Sequence, residues 1–269
     1  MTDPQQTILT AAIAIAREAG ELIRQMTPRK REIDFKGVRD MVTEVDHASE
    51  SLIRKRVAAQ FPEHRILAEE SGGRGTASDT IWIIDPLDGT TNFVHGFPMY
   101  AVSIGVAHGA ALIAGVVYDP VRDECFSARR GGGAWLNERP IHVSATADLG
   151  HSLLATGFPY SNNAPYQLNM DLWQQIYGKT QGLRRAGSAA LDLSYLAAGR
   201  LDGFWEFMLE PWDQAAGGLI VQEADGYITR LDGTPWQVGD RQILAANPDI
   251  HAALLTEFEP HIERIRDVV

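Results

Sequence analysis

Apolar positions recur along the chain first with a helical period and then in shorter strand-like runs. Asp3-Pro4 opens a segment in which Ile8, Ala12, Ile15, Ala19, Leu22 and Met26 return every three or four residues. An Asp cap followed by Pro in the first turn predicts an amphipathic helix there. A second helix is expected from near Thr43 to Gln60, where Phe61-Pro62 stops it, because proline pushes the residue before it out of the helical region. Arg65 to Ala68 and Thr80 to Ile84 read as strands. From Tyr100 to Leu136, β-rich segments broken by His108-Gly109, Asp119-Pro120 and Gly131-Gly132-Gly133 predict an antiparallel meander. Beyond about residue 145 the order alternates: strand Ser152 to Thr156, helices Pro165 to Tyr177 and Ser188 to Ala198, strand Gly203 to Phe207, helix Trp212 to Ala224, strand Gln242 to Ala246, and a last helix after Pro248. The pattern divides into an α+β half, residues 1–145, and an α/β half, residues 146–269. No repeat or low-complexity linker parts them, so they are expected to pack as one body.

Composition narrows the function. The chain has 269 residues, 45% of them hydrophobic, and no apolar run reaches the roughly 20 residues of a membrane helix. Its first residues lack the basic-then-apolar layout of a secretory leader, so a cytoplasmic protein with no membrane partner is expected. The single cysteine, Cys125, excludes an internal disulfide, and no Cys/His cluster marks a structural zinc site. The formal net charge is −11, and the short run Arg29-Lys30-Arg31 reads as a solvated loop, so no nucleic-acid partner is predicted. An acidic chain that binds a phosphate needs local positive charge, and metal cations held by carboxylates would supply it.

The chemistry concentrates after the strand Ile81-Trp82-Ile83-Ile84. Asp85 and Asp88 follow it in a turn set by Pro86 and Gly89, and a helix can begin directly behind them. Two carboxylates about 5 Å apart repel by about 3 kcal/mol at an effective dielectric near 20, so such a pair calls for a shared cation or proton. Oxygen-only ligands suit Mg²⁺ or Mn²⁺ rather than zinc. A helix start behind them would aim backbone N–H groups at a bound phosphate. Taken alone, Asp85 is equally a turn cap and Asp88 the start of an Asp-Gly turn. Glu69-Glu70 stand at another strand end, and Asp213 in Pro211-Trp212-Asp213 opens a helix; singly these, like Asp40 and Asp46, read as solvated acids or caps.

Taken together, the segments Asp40 to Asp46, Ala68-Glu69-Glu70-Ser71, Asp85 to Pro98 (DPLDGTTNFVHGFP) and Pro211 to Gly226 (PWDQAAGGLIVQEADG) resemble the inositol monophosphatase family in order and separation. The resemblance runs from the first helix to about Asn247. It implies a layered αβαβα sandwich, a homodimer, sensitivity to lithium, and a small-molecule phosphate substrate hydrolysed with two to three Mg²⁺ ions. By motif position it makes Glu69, Asp85 and the Leu87 carbonyl ligands of one ion and Asp85, Asp88 and Asp213 ligands of a second, with Glu69 helping to hold a third. It assigns the Gly89 and Thr90 N–H groups to the phosphate, and Asp46 and Thr90, with Glu69, to orienting the attacking water. Glu206 matches a carboxylate that binds a substrate hydroxyl, Gly187-Ser188-Ala189 a substrate-contacting turn, and Asp88 and Asp213 belong to the same substrate-binding set.

The implied chemistry needs no covalent intermediate, which leaves His95 without a catalytic part. Ala68 stands where many family members carry glycine, a change expected only to restrict the backbone. Glu210 adds a negative charge near the expected mouth, which would disfavour bisphosphates. The continuation Thr91-Asn92-Phe93 to Gly96-Phe97-Pro98 looks closest to phosphatases of myo-inositol 1-phosphate. Branches acting on histidinol phosphate, fructose 1,6-bisphosphate or 3′-phosphoadenosine nucleotides share the metal motifs, and a regulatory binding protein that retains the metal site remains a reading of a different class.

Overall fold

The protein is described by a computed structural model covering residues 3–27, 33–35, 41–74 and 78–268. Asp40 and Arg29-Lys30-Arg31 lie outside the described residues. Asp3 accepts from the Gln5 N–H at 3.0 Å and Pro4 fills the first helical position, so α1 (Pro4–Met26) begins where the cap signal placed it. Its buried stripe is Ile8, Ala12, Ile15, Ala19 and Ile23; Ile23, not Leu22, continues the face that packs inward. A two-stranded ribbon follows, β1 (Ile33–Phe35) with β2 (Met41–Thr43). α2 (Glu44–Gln60) then starts in a capping box in which Thr43 N–H donates to Asp46 at 2.8 Å.

The next strands, in chain order, are β3 (Arg65–Ala68), β4 (Gly72–Arg74) and β5 (Thr80–Asp88), followed by the short helix α3 (Thr90–His95). The meander is β6 (Ala101–His108), β7 (Ala111–Asp119), β8 (Glu124–Arg129), β9 (Ala134–Leu136) and β10 (Arg139–Ile141). These build an eight-stranded sheet in the order β10-β9-β8-β7-β6-β5-β3-β4, antiparallel except where β3 runs parallel to β5. The second half supplies β11 (Leu153–Thr156), α4 (Ala164–Tyr177), β12 (Gly182–Arg184), α5 (Ala189–Ala197), β13 (Gly203–Phe207), α6 (Pro211–Glu223), β14 (Tyr227–Thr229), β15 (Gln242–Ala246), α7 (Pro248–Phe258) and α8 (Ile262–Asp267). Its five strands lie in the order β12-β11-β13-β15-β14.

The helices sort into layers. α1 and α2 cover one face of the large sheet, burying Ile15, Ile53, Ile104 and Val116 together. α5 and α6 lie between the sheets, where Val117 and Phe126 of the first, Leu193 and Leu219 of the helices, and Phe204 and Ile243 of the second form one core. α4 and α7 close the far side over Trp205 and Leu244. The architecture is therefore the αβαβα sandwich expected from the sequence. Because both faces of the large sheet are covered, β6 and β7 are buried along almost their whole length and mostly apolar, with Val102, Ile104 and Val106 turned toward α1 and α2.

Three differences from the sequence reading have identifiable causes. β5 continues past Ile84 through Pro86 to Asp88, because β6 keeps pairing with it across a register shift between Asp85 and Asp88. Pro86, which has no N–H to give a ladder, sits in that irregularity. The strands β1, β2, β4, β10, β12 and β14 hold three residues each, too few to show a period. The last helix breaks into α7, a 3₁₀ turn at Glu259–His261 and α8, since Pro260 supplies no donor to the preceding turn. Among the described residues no helix is long and apolar enough to cross a membrane.

α6 sits directly against the large sheet. A Cβ at Gly105 would lie 2.7 Å from the Ala215 Cβ, and one at Gly115 2.8 Å from the Ala216 carbonyl oxygen, so the helix rests on the backbone of β6 and β7. Ser103 Oγ donates to the Trp212 carbonyl at 3.2 Å and pins the helix start beside β5. Gly115→Ala is therefore expected to lower stability by about 1–3 kcal/mol, because the clash is with backbone and cannot be relieved by a rotamer. Gly178→Ala, where a Cβ meets nothing within 4 Å, should leave the melting temperature nearly unchanged. Thermal melts of the two variants make the comparison.

Candidate active site

The end of β5 delivers Asp85, Leu87 and Asp88 into a cavity of about 640 Å³ whose walls come from both halves of the chain. Glu69 enters from the end of β3, held where its N–H donates to the Ile84 carbonyl at 3.2 Å. Asp213 enters from the first turn of α6, its carboxylate accepting the Glu210 N–H at 2.7 Å. Gly89, Thr90, Gly187, Ser188, Ala189 and Glu206 line the same space. The expected site residues thus meet there, with Asp46 one hydrogen bond behind the wall.

Each position is held by an identifiable contact. Gly89 caps α3 at φ 90°, and a Cβ there would lie 2.8 Å from the Met99 carbonyl, so glycine is required on two counts. No side chain caps α3, and Gly89 and Thr90 at its start line the cavity. Asp46 is saturated: one oxygen accepts the Thr43 N–H at 2.8 Å and hydroxyl at 2.6 Å, the other the Thr90 hydroxyl at 2.8 Å. The Thr90 oxygen also lies 3.0 Å from the Leu87 carbonyl, so one proton has two acceptors. Asp88 accepts from Ser188 Oγ at 2.5 Å and from the Ala190 N–H at 2.9 Å, which ties β5 to the start of α5.

The electrostatics are those of acids crowded away from water. Burial, then repulsion from Glu69, Asp88 and Asp213, raises the Asp85 carboxyl well above the usual carboxylate range. Burial and Asp88 do the same to Asp213. Asp88 is pushed up to about 6, chiefly by burial and against hydrogen bonds from Ser188 and from the backbone of Ala190 and Ala189, and Glu206 to about 8. Among the described residues no three acids are yet drawn into a closed ligand set. Their shared cavity, oxygen-only chemistry and mutual repulsion nevertheless fit a hard divalent cation that would draw them in.

Several residues did not stand out in the sequence. Asn92 donates from one amide nitrogen to the Met99 and Ala186 carbonyls, at 2.7 and 2.8 Å, fastening α3 to the turn before α5. Gly157 lies under Glu206 so closely that a Cβ would sit 2.0 Å from its carboxylate. Arg185 and Asp192 also line the cavity. Of these only Asn92 was marked in the sequence, within the Thr91-Asn92-Phe93 continuation and without a role of its own. One expectation is corrected: Glu210 does not add an uncompensated charge at the mouth, because Arg241 pairs with it at 3.0 Å. His95 is exposed at the end of α3 and takes no part in the cavity wall. Cys125 is buried, and burial pushes its thiol up to about 11, which leaves it unreactive.

A profile of the inositol monophosphatase family matches residues 4–263. The Nus factor SuhB of Pseudomonas aeruginosa is 46% identical over 264 residues, covering 96% of this chain and 97% of that protein. The extragenic suppressor protein SuhB of Bartonella henselae superposes with a TM-score of 0.91 at 37% identity, over 94% of this chain and 98% of that one. An inositol monophosphatase from Anabaena does so with a TM-score of 0.86 at 41% identity, over 95% and 96%.

The raised carboxyls fix the sign of a pH effect. Asp88 and Glu206 hold protons at about 6 and about 8 in the fold, against ordinary values of 3.8 and 4.5. The folded state therefore binds their protons more tightly than the unfolded chain, and this contribution to stability is lost as pH rises through the folded values. In chelator, the melting temperature should fall as pH is raised from about 5.5 to about 8.5, and Glu206→Gln should flatten the upper part of that slope. Differential scanning calorimetry across the range tests both expectations.

Proposed function

The chain belongs to the inositol monophosphatase family, and from that premise we propose that it is a Mg²⁺-dependent phosphomonoesterase acting on a small sugar-alcohol phosphate, with myo-inositol 1-phosphate as the leading substrate. The observation that carries this reading is the meeting of Glu69, Asp85, Leu87, Asp88 and Asp213, from both halves of the chain, in one cavity beside the start of α3. Glu69, Asp85 and the Leu87 carbonyl would hold one ion, Asp85, Asp88 and Asp213 a second, and Glu69 would help with a third. Bound there, the cations would acidify water and offset the charge that develops on the phosphoryl and leaving oxygens.

The chain's own groups supply orientation. The N–H groups of Gly89 and Thr90 donate to the phosphate, aided by the dipole at the helix start. Thr90, whose proton is taken by Asp46 at 2.8 Å, presents an oxygen lone pair to the attacking water and so fixes its direction. Glu69 accepts a proton from that water. Glu206 and the Gly187-Ser188-Ala189 turn bind the polyol that leaves. A cytoplasmic homodimer belongs to the same proposal, and light scattering tests the dimer.

The name of the Pseudomonas relative, Nus factor, favours a second reading in which the chain also serves as a regulatory binding protein. The two roles separate in cells that lack the chain. Rescue by a folded but inactive variant would assign the cellular role to binding, and failure of rescue would assign it to hydrolysis.

Asp213→Asn is the variant of choice. Asparagine is nearly isosteric and keeps the acceptor for the Glu210 N–H, so the fold should persist. Loss of a charged ligand should cut turnover of myo-inositol 1-phosphate by at least ~10³-fold. Near-normal turnover at modest Mg²⁺ would remove Asp213 from the site. For the parent protein, phosphate release should vanish in excess chelator and return with Mg²⁺; full activity in chelator would end the metal reading.

A further inference from the structure

Asp192, in the first turn of α5, lies on the cavity wall yet is only 2% exposed. Its carboxyl is surrounded by the fields of Glu206, Asp88 and Arg185 but accepts no hydrogen bond from any described residue. The neighbouring polar groups are already committed elsewhere: the Ser188 hydroxyl and the Ala190 N–H both serve Asp88. Glu206, across the same space, likewise has no hydrogen-bond donor among the described residues. The charge of Arg185 favours the ionised form of both carboxyls and offsets part of the cost of burial, but no hydrogen bond from a described residue completes it. A side chain kept in that condition on a ligand cavity is accounted for by a partner that arrives with the ligand.

We propose that Asp192 is a second hydroxyl-recognising carboxyl, so that the site selects phosphate esters of uncharged polyols presenting one hydroxyl to Glu206 and another to Asp192. The inference rests on the phosphatase reading and extends it to the leaving group. A neutral polyol suits two carboxyls that lack donors, since each hydroxyl brings one. A leaving group carrying its own phosphate would instead bring acceptors, not hydroxyl donors, to Asp192 and Glu206. A site built to pair with hydroxyls rejects an ester that lacks them, because its buried acceptors are then left unmatched.

The test compares wild type, Asp192→Ala and Asp192→Asn on myo-inositol 1-phosphate and on p-nitrophenyl phosphate, which has no neighbouring hydroxyls. Asp192→Ala should raise KM for the inositol ester at least tenfold while changing p-nitrophenyl phosphate turnover less than twofold. Asp192→Asn, which keeps an acceptor oxygen, should restore most of that loss. Because no described residue donates to the carboxyl, Asp192→Ala should melt no lower than wild type. Equal losses on both esters, an unchanged KM for the inositol ester, or a marked drop in melting temperature would each overturn the proposal. Wild type that hydrolyses both esters with equal kcat/KM would overturn polyol selection while the phosphatase reading stands. Wild type that hydrolyses neither with Mg²⁺ would fell the phosphatase reading and this inference with it.

Discussion

The packing of α6 onto the bare backbone of β6 and β7 is the constraint on which the site depends. Only glycine at positions 105 and 115 allows the helix that close, with Ala215 and Ala216 in contact with the strands themselves. That approach brings the first turn of α6, and Asp213 with it, beside the end of β5. A helix carried on ordinary side chains would stand farther off, at the spacing of two packed layers, and its first turn would miss the carboxylates of Asp85 and Asp88. The hydrophobic layer between the sheets thus has a geometric consequence beyond its contribution to stability.

Against that packing works the repulsion of the acids it brings together. Asp85, Asp88 and Asp213 are each pushed toward their neutral forms by burial and by one another. The fold tolerates this because the strain is spread over strong local supports. Asp85 accepts the Leu87 N–H at 2.9 Å, Asp88 the donors of the α5 start, and Asp213 the N–H of Glu210. These bonds fix where each carboxylate starts, and a hard cation would draw them the rest of the way into a closed set. The stability surrendered at the site is recovered in the three apolar layers around it.

The cavity is also asymmetric in its chemistry. One end gathers acids with hydrogen bonds to backbone and hydroxyl groups, beside the start of α3. The other holds Asp192 and Glu206, carboxyls with no donors among the described residues, over the floor that Gly157 leaves clear. A phosphate ester has the same two ends, an anion to be neutralised and an alcohol to be recognised.

Much of this could be read from the sequence, because the signals are local. The cap at Asp3, the helix start near Thr43, the proline stops, the alternation of the second half and the acids at the ends of β3 and β5 depend on residues within a few positions of one another. The family resemblance then joined Glu69, Asp85, Asp88 and Asp213 before any contact among them was known. What the tertiary structure alone decided are the relations between distant segments. The passage of β5 through Pro86 depends on β6, the bond from Ser188 to Asp88 on how α5 meets β5, and the pairing of Glu210 with Arg241 on the turn that leads into β15, about thirty residues away. Asp192 is an ordinary acid in a helical sequence until the fold buries it without a donor. Burial and partnership are properties of packed surfaces, and periodicity along one segment carries no information about which surface will cover it.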